Sequence, residues 1–129
     1  MGIYSSLFSA SEDQNDRSKD ITWIPLENIA QLTEISTLSF EKPVVLFKHS
    51  TRCSVSRMAL KEFENDFHLS SKVTPYFLDL LEHRAISNEI ATRFGVVHQS
   101  PQLILIRDGK AVYDTSHSGI DVAALEKQL

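Results

Sequence analysis

Two uninterrupted apolar runs, Val44–Phe47 and Leu103–Ile106, place the tightest limit on how this chain can fold. Each has the length and chemistry of a β-strand buried on both faces. Such a strand needs cover on both sides, so its sheet must lie between two layers of other structure. The segments around the runs supply candidates for those layers. Leu26, Ile29, Leu32 and Ile35 recur every three residues after Pro25, and Leu38 extends the stripe, which predicts an amphipathic helix. Val55, Ala59, Phe63 and Phe67 repeat at four-residue spacing and predict a helix from near Cys53 to about His68. Ile86, Ile90 and Phe94 predict another, closed by Gly95 as a left-handed cap.

Ile21–Ile24 and Val73–Leu80 read as further strands. Gln102–Arg107 and Ala111–Thr115 flank Asp108-Gly109, a dipeptide that favours a tight hairpin. The last segment, Asp121–Leu129, reads as a helix with Val122 and Leu125 on one face and Asp121 as its cap. The predicted order is β-α-β-α-β-α-β-β-α. This is an α/β chain with a mixed central sheet and helices on both faces.

A length of 129 residues suits one such domain. Residues 1–19, rich in Ser, Asp, Asn and Gln, read as a flexible tail with Leu7 and Phe8 as docking residues, and residues 20–129 as the folded domain. Seventeen acidic and thirteen basic side chains leave a net charge of −4, which argues against a nucleic-acid partner. No run approaches a membrane span, and the first residues lack the basic start and apolar stretch of a secretory signal. Gly2 and Ser6 loosely fit an acylation pattern that Tyr4 fits poorly, so an ordinary N-terminus is expected. The expected location is cytoplasmic.

Cys53 is the only cysteine, which excludes an internal disulfide and a cysteine-rich metal site. It falls where the strand Val44–Lys48 gives way to the next helix. The first N–H groups of a helix lack intrahelical partners, and its dipole is positive there, so an anionic thiolate is favoured at such a position. Arg52 and Arg57 add positive charge nearby, and His49 is close in sequence. A free cysteine is often just a small buried apolar side chain. Here His-Ser-Thr-Arg before it and Ser-Val-Ser after it are too polar for a core, so Cys53 reads as reactive.

Pro101 stands at the first residue of a strand, after Ser100 and before Gln102. Either a cis bond that presents the chain edge to a ligand or a plain trans bond fits that position. His49, His98 and His117 are candidates to tune a thiolate or carry a proton, with His49 and His98 also expected among the substrate-binding residues; His117 equally fits a surface position. They show no metal-binding spacing, so no metal site is expected. Trp23 lies away from these segments and suits a core or clasp position.

The combination of strand, polar loop, Cys-x-x-Ser, helix and then Pro-Gln-Leu-Ile-Leu-Ile-Arg-Asp-Gly-Lys resembles the thioredoxin superfamily. Within it, Phe47-Lys48-His49-Ser50-Thr51-Arg52-Cys53, Ser56, His98-Gln99-Ser100-Pro101-Gln102 and Ser116-His117 resemble the monothiol bacilliredoxins, over roughly residues 21–129. The resemblance implies a thioredoxin-like three-layer sandwich. It implies that Cys53 is the nucleophile that removes bacillithiol, a cysteine-containing low-molecular-weight thiol, from protein mixed disulfides. Ser56 stands where dithiol relatives have a resolving cysteine. Pro101 is then the cis-proline, with Ser100 offering backbone groups to the bound disulfide. The family usually has proline after the cysteine; Ser54 replaces it here and adds an N–H donor near the sulfur.

With Ser56 at that position, turnover needs a second thiol or a partner reductase. Bacillithiol, or an equivalent small thiol, is the expected co-substrate, and thiolated proteins are the expected partners. Arg52 and Arg57 are candidate docking charges for its carboxylates, with solvated surface the plainer alternative. Two other functions fit less of the pattern. One is an iron–sulfur carrier of the monothiol-glutaredoxin type, although Cys53-Ser54-Val55-Ser56 departs from the Cys-Gly-Phe-Ser usual there. The other is a non-catalytic thioredoxin-like binding or stress module. A protein that stays colourless after anaerobic cluster reconstitution excludes the iron–sulfur carrier.

Overall fold

The computed structural model describes residues 21–129. The expected tail, its docking residues Leu7 and Phe8, and the acylation pattern at Gly2 lie outside the described residues. Five strands form one sheet: β1 (Ile24–Pro25), β2 (Val44–His49), β3 (Thr74–Asp79), β4 (Gln102–Arg107) and β5 (Lys110–Ser116). The α-helices are α1 (Ala30–Leu38), α2 (Ser54–Asp66), α3 (Arg84–Phe94) and α4 (Val122–Glu126), with a 3₁₀ turn at His117–Gly119. The spatial order is β1-β3-β2-β4-β5. β1 and β2 run parallel to β3, whereas β4 runs antiparallel to both β2 and β5.

The two apolar runs occupy the centre, and alternate residues face opposite layers. Val45, Phe47, Leu103 and Leu105 pack with Ala59 and Phe63 of α2 and with Val122 and Leu125 of α4. Val44, Leu46, Ile104 and Ile106 pack with Leu32 and Ile35 of α1 and with Ile86 and Ile90 of α3. Helices therefore cover both faces, as a strand apolar on both sides requires. Full burial of each large aliphatic side chain contributes about 1.5–3 kcal/mol before entropy is counted.

Three expected core positions fall outside it. Ile29 and Leu38 are 43% and 40% exposed, and Val55 is 50% exposed. An α-helix takes about 3.6 residues per turn, so three-residue steps fall about 60° short each time and four-residue steps overshoot by about 40°. Both spacings walk off a face within a few steps. α1 also begins only at Ala30, because the Glu27 and Asn28 N–H groups donate to Gln31 Oε1 (2.6 and 3.0 Å) and hold a turn ahead of it. Phe67 is buried just past the end of α2, where the backbone is extended.

The turn chemistry follows the expected pattern. Asp108 and Gly109 both have positive φ, 54° and 77°, as a two-residue hairpin turn demands. Asp121 Oδ2 accepts from the Ala124 N–H at 3.0 Å and caps α4. Gly95 closes α3 at φ 66°, and a Cβ built there meets nothing within 4 Å. Gly95→Ala therefore isolates the backbone cost of a left-handed residue. Urea unfolding should show a loss of about 1 kcal/mol; no change would mean the cap relaxes freely.

Candidate functional site

Lys48 of β2 lies opposite Gln102 of β4 on antiparallel strands. The chain leaving β2 toward Cys53 and the chain entering β4 through Pro101 therefore share one end of the sheet. Cys53 is the N-cap of α2, with extended backbone (φ −100°, ψ 122°), and its carbonyl accepts from the Arg57 N–H at 3.0 Å. No side chain caps this helix start. Cys53 is half-buried and Ser54 beside it is exposed. Arg52 and Arg57 are both exposed; Arg57 donates to the Thr51 carbonyl at 3.0 Å and braces the turn before the cysteine.

The Ser100-Pro101 bond is cis, which decides between the two forms the sequence allowed. The Pro101 carbonyl accepts from the His117 N–H at 3.1 Å, so the far end of the hairpin is tied to this segment. His117 itself is exposed. Ser100 Oγ is buried and has no hydrogen-bond partner among the described residues. Trp23 is a clasp: its Nε1–H donates to Glu64 on α2 at 2.6 Å, and its ring packs on Phe47, Phe63 and Phe77.

Ser56 faces inward. Its Oγ accepts from the Ser50 N–H at 3.0 Å and lies 2.8 Å from His49 Nδ1, and both side chains are buried. Burial pushes the His49 pKa down, Asp79 and Glu64 oppose that, and Arg57 adds to it. The hydroxyl thus links the start of α2 to the end of β2. Ser56→Ala strands the Ser50 N–H, so it should cost about 1–3 kcal/mol in denaturant unfolding. A change within error would show that water replaces the hydroxyl.

Two side chains that the sequence pattern did not single out complete the region. Lys48 is fully buried, with Nζ 2.7 Å from His98 Nδ1, and Ser87 Oγ of α3 lies 3.4 Å from the same nitrogen. Gln102 is fully buried too; its Nε2 donates to the Val97 carbonyl at 2.9 Å and its Oε1 accepts from the Gln99 N–H at 3.2 Å. Gln102 thereby holds the loop that carries His98. The available signal was a polar residue at the end of each apolar run, paired across the sheet.

Burial lowers the Lys48 pKa from 10.5 to about 8. Between those values the unfolded chain holds a proton that the folded chain does not, so stability rises with pH across that window. Lys48→Met should abolish this rise in urea midpoints measured between about pH 8 and 10.5. An unchanged slope would show that another group titrates there.

A cysteine capping the helix after a central strand, with a cis-proline entering the neighbouring antiparallel strand, defines a thiol-redox protein of the thioredoxin fold. Solved structures share the fold. A protein with a thioredoxin fold, assigned but not established as an oxidoreductase, is 31% identical, with a TM-score of 0.70 over 81% of this chain and 90% of its own. Malassezia sympodialis thioredoxin is 19% identical, with a TM-score of 0.63 over 83% of this chain and 87% of its own. Mitochondrial thioredoxin 3 of Saccharomyces cerevisiae is 23% identical, with a TM-score of 0.61 over 87% and 95%. Within that class the chain belongs to the monothiol bacilliredoxin BrxC family, whose model matches residues 24–125. No helix among the described residues is long and apolar enough to cross a membrane.

Proposed function

We propose that this protein removes bacillithiol, or a similar low-molecular-weight thiol, from protein mixed disulfides through Cys53. The observation that carries this reading is the placing of the chain's only cysteine as the N-cap of α2, with Ser56 three residues on. At that position the unpaired N–H groups of the first helical turn face the cap, where they stabilise a thiolate. The Cys53 thiolate attacks the small-thiol sulfur of protein–S–S–R. A new S–S bond forms between Cys53 and R as the S–S bond of the substrate breaks, and the protein thiolate leaves with the electron pair and takes up a proton. A second small thiolate then attacks Cys53–S–S–R, releasing RSSR and restoring the Cys53 thiolate; a partner reductase is the alternative donor.

Arg52 and Arg57 provide positive charge on the approach to Cys53, which suits an anionic small thiol. Ser56, expected to be catalytic from its place in the motif, is buried and acts in this reading as a positioning residue that anchors His49 and Ser50. Ser100 and Pro101 supply the backbone edge against which the disulfide lies. The test is intact-mass analysis after incubation with a bacillithiolated protein. The expected product carries one bacillithiol on Cys53 and leaves the substrate free of it. A substrate that keeps its modification overturns the proposal.

A further inference from the structure

Lys48 is fully buried, yet among the described residues no carboxylate lies within ion-pair distance of it. An isolated charge is costly to desolvate, and buried cations are normally paired with anions. Its Nζ instead meets His98 Nδ1 at 2.7 Å. An ammonium group has three donors and no lone pair, so Nδ1 is the acceptor and the proton of the neutral ring sits on Nε2. Burial, Lys48 and Arg84 at the start of α3 all push the His98 pKa down and keep the ring neutral. Ser87, one turn along α3, is the other polar group against Nδ1.

With Nδ1 turned to the buried lysine, Nε2 lies on the opposite side of the ring, in a residue that is exposed. His98 precedes Ser100-Pro101 by two residues in the chain, in the loop whose Val97 carbonyl and Gln99 N–H are held by Gln102. We propose that Lys48, acting through His98, fixes an outward Nε2–H donor that binds a carboxylate on the small-thiol half of the mixed disulfide. The inference rests on the de-thiolation reading and deepens it. His98 touches the ligand and Lys48 is a positioning residue. A cation behind the imidazole polarises its N–H, which favours an anionic acceptor over a neutral one. Arg84 contributes positive charge to the same place.

The test uses two mixed disulfides of one carrier protein, made with 3-mercaptopropionate and with 2-mercaptoethanol, which lacks the carboxylate. His98→Ala and Lys48→Met should each lower kcat/KM about tenfold on the first and less than about twofold on the second. His98→Gln, which keeps an N–H near the Nε2 position, should retain most of the activity. Nitrogen-15 shifts should place the His98 proton on Nε2 in the wild type and show that preference lost in Lys48→Met. Equal losses on both substrates, or a wild-type proton on Nδ1, overturn the proposal alone. A wild-type protein that leaves both disulfides intact overturns it together with the reading beneath it. Should Lys48→Met fail to fold, His98→Ala and the wild-type tautomer decide.

Discussion

Cys53→Ser should lower the rate of thiol release from a bacillithiolated protein by roughly a thousandfold or more. The size of the effect follows from chemistry that no other residue can supply. A serine hydroxyl is a far weaker nucleophile than a thiolate, and it cannot form the mixed disulfide that splits the reaction into two exchanges. The chain has no second sulfur nucleophile to take over, since Cys53 is its only cysteine. Serine is also a good N-cap, so α2 should keep its start and the variant should unfold at nearly the wild-type denaturant midpoint. Loss of the bacillithiol adduct from the substrate protein, followed by intact-mass spectrometry, is the measurement. Residual activity near the wild-type level in a folded Cys53→Ser protein would remove Cys53 from the reaction.

The largest stability effect is expected at Phe47. Its ring is fully buried and lies 5.7 Å from the rings of Trp23 and Phe63, and 6.5 Å from those of Phe77 and His49. Phe47→Ala removes the centre of this cluster and leaves a cavity between β2 and α2. Changes of that kind cost about 3–5 kcal/mol. A domain of this size is stable by about 5–15 kcal/mol in total, so the variant should be strongly weakened in urea. The damage should reach the site, because the same cluster seats Trp23, which holds Glu64 of α2, and flanks His49, which holds Ser56. A loss below about 1 kcal/mol would mean that the neighbouring rings close over the gap.

The parts of the fold that a sequence reader can see are those where one residue type has one physical outcome. Val44–Phe47 and Leu103–Ile106 have no polar side to offer water, and they are the central strands. Gly95 and Asp108-Gly109 have the positive φ that their chemistry suggests. Cys53 at the helix start was legible for the same reason, since a polar loop between a strand and a helix leaves little freedom. Ile29, Leu38 and Val55 depart from the expected core because residue spacing constrains a face only within a turn or two. The burial of Lys48 and Gln102 is not legible in the sequence, because side chains of that type usually reach water and their pairing across the sheet depends on the fold. The direction of the Ser56 hydroxyl depends on Ser50 and His49 together, and spacing along the chain does not encode it. Pro101 left both isomers open because the same residues are compatible with either.

The two margins of the sheet also bear on how the protein behaves in a crowded solution. β1 is only two residues long and contains Pro25, which has no N–H to offer a newcomer. β5 carries an extra residue, Val112, where its register with β4 shifts between Leu105 and Ile106, and it exposes Lys110 and Asp114. Brevity, proline, a bulge and charge are the devices by which sheets avoid recruiting strands from other chains. Among the described residues, both borders thus carry features that disfavour the addition of a strand from another chain.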